Sequence, residues 1–259
     1  MPKVLQFTDL HLRDDSAGEV RGVVTQRGFD EALYHAQRHH WPADAVLLTG
    51  DLANDEYDNT YARLAGIAAR WETPVVAIPG NHDDKSRLRA AFDTVPMAAD
   101  VVVDFAHWRI VGLDSQVPRA VHGALADSVW RLLENAAATR GDRNLLVCLH
   151  HHPLSLGSRW LEDLGLRDAA DFRKHIAGLG VTVCLFGHAH QEWDSTENGV
   201  RYLGTPSTGR QFESGSEDFS ETDEPPAYRW LRLNDDGTVE TEVEWVAGES
   251  RKSKVESRK

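Results

Sequence analysis

The sequence predicts an α/β fold of four layers, helix, sheet, sheet, helix, built on two packed mixed sheets. Three observations lead there. Five short apolar runs rich in Val, Leu and Ile alternate with stretches whose apolar residues recur every three or four positions. Further β-type runs occur at two places with no helix between them, enough for a second sheet packed on the first. No linker is long enough to divide the chain, so residues 1–247 are expected to form one domain.

The five runs are 4–8, 45–49, 74–78, 145–149 and 181–186. They lack polar alternation, which suits strands covered on both faces. Between them the helical spacing covers 29–39, 57–70, 86–92, 127–139 and 169–179. The alternation breaks in 100–113, which reads as two β runs at 101–103 and 108–113. It breaks again after Phe186, where 191–195, 199–203, 228–233 and 238–245 all read as β, with turns at Asn198-Gly199 and Asp235-Asp236-Gly237. Residues 213–226 carry six acidic side chains and no basic one, the composition of a surface loop. Residues 248–259, with five basic and two acidic side chains, are expected to be a disordered charged tail.

Composition narrows the function. Of 259 residues, 28 are Lys or Arg and 41 are Asp or Glu, so the formal charge is 28 − 41 = −13. That excess repels a phosphate backbone and argues against a nucleic-acid partner. Apolar residues at 41% and charged residues at 27% are ordinary for a globular chain with a sizeable core. Cys148 and Cys184 are too few for a disulfide framework, and both sit inside strand runs as small buried residues. No apolar run approaches the ~20 residues of a membrane span. Met1-Pro2-Lys3 passes straight into a strand, which leaves no room for a leader, so a cytoplasmic setting is expected.

The chemistry follows the five runs. Asp9-Leu10-His11 comes after the first, Gly50-Asp51 after the second and Gly80-Asn81-His82-Asp83 after the third. His150-His151-His152-Pro153 comes after the fourth and Gly187-His188-Ala189-His190 after the fifth. Ligands of α/β sheets bind outside the carboxyl ends of strands, so these clusters are expected to meet. Residues two apart in extended chain share a side, which lets Asp9 and His11, or His188 and His190, address one site. Asp, Asn and His without thiolate form a donor set suited to manganese, iron or zinc. Seven candidates exceed the three protein ligands of a catalytic zinc and suit two ions ~3.5–4 Å apart that share a carboxylate. Two divalent ions, Asp9, Asp51, a bridging hydroxide and a phosphodiester monoanion sum to zero charge, which favours an anionic substrate.

Together these five clusters resemble the calcineurin-like metallophosphoesterases. Within them the chain is similar to the class III cyclic nucleotide phosphodiesterases, the group that includes bacterial 3′,5′-cyclic AMP phosphodiesterases. Leu113-Asp114-Ser115-Gln116, His122-Gly123, Ser158-Arg159-Trp160-Leu161, Leu166-Arg167, Thr205-Pro206-Ser207-Thr208 and Gln211-Phe212 carry that closer likeness. It runs from about residue 3 to about residue 245. The resemblance implies that Asp9, His11, Asp51 and His190 hold one metal. Asp51 would bridge to a second, completed by Asn81, His151 and His188. The family's ligand stands two residues before the proline, which selects His151 over His150 and leaves His152 behind the ligands or facing substrate. His82 is implied as the group that contacts the phosphoryl and protonates the leaving oxygen, oriented by Asp83. Purple acid phosphatases place a tyrosine three residues after the bridging Asp, where this chain has Asn54. Without that phenolate, Fe(II), Mn(II) or a mixed pair is implied. Asn54 either contacts substrate or caps its loop.

The expected reaction is therefore hydrolysis of 3′,5′-cyclic AMP to 5′-AMP by in-line attack of a metal-bridging hydroxide, with a small cyclic nucleotide as partner and either a monomer or a homodimer as the assembly. Other phosphodiesters remain as alternatives: glycerophosphodiesters, 2′,3′-cyclic nucleotides and lipid-sugar pyrophosphates. A non-catalytic scaffold of the same fold would have lost ligands, and this chain keeps all of them. His39-His40 read as solvent-facing, and His35, His107 and His175 lack ligand spacing. His122 suits either the pocket rim or a loop hydrogen bond. Neither a Gly-x-Ser-x-Gly elbow nor a phosphate-cradling glycine loop occurs.

Overall fold

A computed structural model describes residues 1–98 and 101–246. Its strands are β1 (Lys3–Phe7), β2 (Glu19–Val20), β3 (Val23–Val24), β4 (Ala45–Thr49), β5 (Val75–Ile78), β6 (Val102–Asp104), β7 (Trp108–Leu113) and β8 (Asn144–Leu149), followed by β9 (Val181–Phe186), β10 (Trp193–Glu197), β11 (Val200–Gly204), β12 (Gln211–Phe212), β13 (Glu221–Thr222), β14 (Ala227–Leu233) and β15 (Val239–Trp245). The helices are α1 (Thr25–His39), α2 (Asp58–Ala68), α3 (Lys85–Phe92), α4 (Asp127–Ala138) and α5 (Ala169–Gly178).

Two sheets face each other, ordered β15-β14-β1-β4-β5 and β10-β11-β9-β8-β7-β6. The first is antiparallel on the β14–β15 side and ends in the parallel strand β5, while the second has a parallel centre between two antiparallel edges. β1, β4 and β5 run parallel in the first, β7, β8, β9 and β11 in the second. The five site-bearing runs are thus shared three and two between the sheets rather than forming one sheet with the later strands beside it. A helix crosses over after β1, after β4, after β7 and after β8, as parallel neighbours require. β14 and β15 in the first sheet, and β10 and β6 in the second, complete the antiparallel edges, while β2–β3 and β12–β13 form separate two-stranded ribbons.

Three apolar layers account for the four-layer stack. Leu5, Phe7, Val46 and Leu48 pack with Phe29, Leu33 and Leu64 of α1 and α2. Their alternate neighbours Val4, Ala45 and Leu47 turn inward to meet Ile110, Leu146, Val183 and Leu185 of the other sheet. That sheet's outer face packs Val111, Val147 and Phe186 against Leu133, Phe172 and Ile176 of α4 and α5. These are the both-face-buried strands that the uninterrupted Val/Leu/Ile runs imply.

The layer between the sheets becomes polar where the strands end. Gln6 is in phase with Val4, Thr49 with Leu47, and Arg229 with Leu231, and all three are buried. Gln6 Nε2 donates to Thr49 Oγ1 at 2.9 Å, Thr205 Oγ1 to Gln6 Oε1 at 2.6 Å, and Arg229 Nε to Thr205 Oγ1 at 3.1 Å. Arg229 Nη2 adds a bond to the Gly204 carbonyl at 2.9 Å. Buried polar atoms must be paired, and this chain of bonds pairs them under the floor of the site. The tail expected at 248–259 lies outside the described residues.

Candidate active site and metal cluster

The loops after the strands turn sharply. Asp9, His11, Asp51, His188 and His190 all have positive φ, between 45° and 65°. A non-glycine residue in the left-handed region costs about 1–2 kcal/mol, so five together mark a site that the surrounding structure holds against strain. Asp9 and His11 therefore reach the site through a tight turn and not through an extended run. His188 and His190 diverge, each towards a different group of side chains.

The loop after β1 runs beside the loop after β4. Asp9 N donates to the Gly50 carbonyl at 3.0 Å and His11 N to the Asp51 carbonyl at 2.8 Å. Asp9 Oδ2 accepts from Thr8 Oγ1 at 2.8 Å and from His188 N at 3.0 Å, while its Oδ1 lies 3.2 Å from His190 Nε2. Asp51 Oδ1 accepts from His82 N at 2.9 Å. Its Oδ2 lies 3.7 Å from His11 Nε2 and 3.4 Å from His150 Nε2, one oxygen between two sets of nitrogens. On one side are Asp9, His11 and His190, whose Nε2 atoms on His11 and His190 are 3.3 Å apart. On the other side His150 Nε2 lies 3.3 Å from Asn81 Oδ1 and 3.2 Å from His188 Nδ1. Ligands at ~2.1 Å from a metal stand about 3.0–3.5 Å apart at octahedral or tetrahedral angles, and all these separations between candidate ligand atoms but the 3.7 Å from Asp51 to His11 fall in that range.

Tautomers follow from the bonds each ring has already made. His150 Nδ1 donates to the Thr49 carbonyl at 3.0 Å and His190 Nδ1 to the Arg210 carbonyl, so both rings present Nε2 to the cluster. His151 is different. Its Nε2 donates to the Val121 carbonyl at 3.0 Å, and its Nδ1 accepts from Ser115 Oγ at 2.8 Å. Both nitrogens are spent on the 115–121 loop. The sequence expects His151 in this cluster; the structure turns His150 Nε2 towards Asp51 and engages both His151 nitrogens elsewhere, while the rings of His150, His151 and His188 lie close together. His152 donates from Nε2 to the Leu161 carbonyl at 3.2 Å and stacks parallel to His188 at 5.6 Å, behind it.

Electrostatics fit a cationic occupant. Burial works to raise the Asp51 carboxyl, yet His150 and His11 beside it hold it well below its ordinary value. Burial also opposes charge on His150, but Asp51 and Asp9 push it up to about 9. The two buried carboxylates therefore demand positive charge at this point. Burial keeps His11 down to about 4 and His188 well below its ordinary value, which leaves both rings neutral. Ionised carboxylates and neutral imidazoles in one pocket form a donor set ready for metal.

His82 stands at the rim, half-buried, with Nδ1 2.9 Å from Asp55 Oδ2. Burial lowers its pKa, but Asp51 and the hydrogen bond to Asp55 outweigh it and raise the group above its ordinary value. Asp83, expected to orient His82, makes other bonds. It accepts from Leu52 N at 3.1 Å, Ala53 N at 2.9 Å, Gly80 N at 2.9 Å and Tyr61 OH at 2.8 Å. These bonds clamp the Asp51 loop to the Asn81 loop, and the carboxylate that meets His82 belongs to Asp55. Asn54 lines a cavity of about 480 Å³ with His11, His82 and His190.

The family model for calcineurin-like phosphoesterases matches residues 2–192, a span that holds all five loops. The chain belongs to this family. A 3′,5′-cyclic adenosine monophosphate phosphodiesterase, CpdA, of Pseudomonas aeruginosa is 36% identical over 244 residues, 94% of this chain and 89% of that protein. The protein of the same name from Escherichia coli K12 is 36% identical over 247 residues, 95% and 90% of the two chains. A dimetal phosphatase from Danio rerio shares the fold, with a TM-score of 0.63 over 95% of this chain and all of that one at 13% identity. This calcineurin-like phosphoesterase is accordingly a metal-dependent phosphodiesterase that resembles the bacterial CpdA enzymes. Asp55, Thr8 and the Gln6–Thr49–Thr205–Arg229 chain were not legible as parts of the site. The one available signal was a polar residue, Gln6 or Arg229, inside an otherwise apolar strand.

Proposed function

We propose that the chain hydrolyses 3′,5′-cyclic AMP to 5′-AMP at a two-metal centre. One ion would be held by Asp9, His11, Asp51 and His190, the other by Asp51, Asn81, His150 and His188, with His150 in place of His151. The observation that carries the reading is the single Asp51 oxygen between His11 and His150, with the remaining donors grouped on either side of it. The similarity to enzymes named for cyclic AMP, over about nine-tenths of both chains, supports the substrate.

When bound, the two divalent ions supply Lewis acidity towards the phosphoryl oxygens and lower the pKa of water. With no phenolate among the donors, Fe(II) or Mn(II) suits the set. The protein does the rest. Thr8 Oγ1 and the His188 amide hold the Asp9 carboxylate, and the His82 amide holds one oxygen of Asp51, so both carboxylates are aimed before anything binds. Such preorganisation spares reorganisation during reaction. His82, beside the cavity and held by Asp55, would contact the phosphoryl and donate a proton to the 3′-oxygen, a poor leaving group for which acid assistance typically gives ~10²–10⁴-fold. Asn54, whose side chain lines the same cavity, would contact the substrate.

The test is turnover by protein reconstituted with Mn(II) or Fe(II) across 3′,5′-cyclic AMP, 2′,3′-cyclic AMP, a glycerophosphodiester and a lipid-sugar pyrophosphate. Cyclic AMP should lead in kcat/KM. A different diester in the lead, with cyclic AMP left intact, would overturn the substrate while keeping the chemistry.

A further inference from the structure

The cavity beside the metal cluster has two chemically different ends. The inner end is the catalytic group of His11, His82, His190 and Asn54; the outer end is built by two short hairpins that the mechanism does not use. β2 and β3 turn through Arg21-Gly22, both at positive φ, the geometry of a two-residue hairpin. β12 and β13 form the opposite ribbon.

Ion pairs staple the hairpins together. Arg21 Nε lies 3.4 Å from Glu221 Oε1, and Arg210 Nε lies 3.5 Å from the other oxygen of Glu221. Arg210 Nη1 is 3.2 Å from Asp223, its Nη2 donates to the Arg21 carbonyl at 3.5 Å, and the Arg21 guanidinium covers the Phe219 ring at 4.6 Å. Both arginines at this mouth therefore already carry acidic partners. A second phosphate or carboxylate entering here would have to displace Glu221 or Asp223. The apolar surface is Val20 and Phe212. Phe212 is held firmly: His190 lies parallel to it at 4.0 Å and 10°, and Trp160 and Phe219 meet it edge-on at 5.3 Å and 5.2 Å.

We propose that this outer end is the subsite for the nucleoside of the diester, with Phe212 and Val20 as its walls and the Arg21–Glu221–Arg210 staple closing it. The proposal rests on the cyclic-nucleotide reading and deepens it. A flat, uncharged, aromatic group gains contact with a rigid ring here, and the paired arginines give no advantage to a second anionic group. The volume lies within the ~300–1,000 Å³ of small-molecule sites.

The test compares kcat/KM for 3′,5′-cyclic AMP with that for methyl p-nitrophenyl phosphate, a diester without a nucleoside, on the metal-loaded full chain. Val20→Trp fills the space, and Phe212→Leu keeps an apolar contact on His190 while removing the aromatic face. Each should lower the ratio of the two kcat/KM values about tenfold, mainly through KM for cyclic AMP, the scale of one base–aromatic contact. Arg21→Ala, at an exposed position, should lower it less. Circular dichroism melts identify a variant that fails to fold, and the ratio in the remaining variants then decides. Wild type that cleaves cyclic AMP, with an unchanged ratio in the folded variants, overturns the subsite and leaves the function standing. Wild type that cleaves only the small diester overturns the cyclic-nucleotide reading and the subsite with it.

Discussion

A histidine has two ring nitrogens, and how each is spent decides which of three consecutive histidines reaches the site. His150 spends Nδ1 on the Thr49 carbonyl and keeps Nε2 for the cluster, whereas His151 spends both. His150→Ala should therefore lose close to one of two bound ions per chain, measured by elemental analysis after reconstitution, together with most of the turnover. His151→Ala should keep both ions and instead lose about 1–3 kcal/mol in urea unfolding, because Ser115 and the Val121 carbonyl are left without their partner. Equal metal loss in both variants would contradict the assignment. Counting back from Pro153 selects His151 but says nothing of ring direction, in which adjacent residues of one composition differ. The same applies to Asp55 and Asp83: the sequence pointed to Asp83, adjacent to His82, and only the loop paths decide that Asp83 ties backbone amides while Asp55 meets the ring.

At the scale of elements, the strand-to-loop turns are the critical pieces. Gly187 and Gly80 lie against the candidate ligands: a methyl group at 187 would overlap Thr8 Oγ1 and Asp9 Oδ2, and one at 80 would overlap the Asp51 carboxylate. Gly187→Ala should push Asp9 out of line and weaken metal affinity at least about tenfold, checked by competition with a chelator. The edge of the second sheet offers a pH test away from the metals. Arg109, buried, holds Asp104 with two bonds of 2.6 Å and also donates to the Ala136 carbonyl at 2.9 Å, tying β6 and β7 to α4. The Arg109 hydrogen bond lowers the Asp104 pKa. A depressed carboxyl contributes stability that is present above its unfolded pKa near ~4 and is lost as pH falls through its lower folded value. Below about pH 4 the stability gap between wild type and Asp104→Asn should therefore shrink, and a constant gap in pH-dependent melts would refute it. The long strands and helices were legible because each spans enough residues for periodicity to register; α1 nevertheless starts at Thr25, four residues before its apolar stripe. The hairpins β2–β3 and β12–β13 were not legible, because two-residue strands carry no period.

For the whole molecule, the parallel strands of two sheets bring the carboxyl ends of β1, β4, β5, β8 and β9 together, and the Asp/His cluster joins both sheets. An ion that binds only the folded chain stabilises it by RT ln(1 + [L]/Kd), about 2.7 kcal/mol at a hundredfold excess over Kd. Mn(II) should raise the melting temperature in proportion to the logarithm of its concentration. EDTA should reverse the rise, and Asp51→Ala, which removes the shared oxygen, should abolish it. A melting temperature indifferent to Mn(II) would argue against a preformed centre. Among the described residues no helix is long and apolar enough to cross a membrane.

By itself the sequence determined the four-layer class, the strands that end in polar clusters and the kinds of donor atom on offer, because buried strands and ligand chemistry are written in residue types at short range. Which sheet each strand joined, which histidine of three turned inward, and which carboxylate met His82 were decided only by the tertiary structure. Those outcomes depend on backbone turns and on partners distant in the chain, and a ring or carboxylate has no direction until its other atoms are bonded.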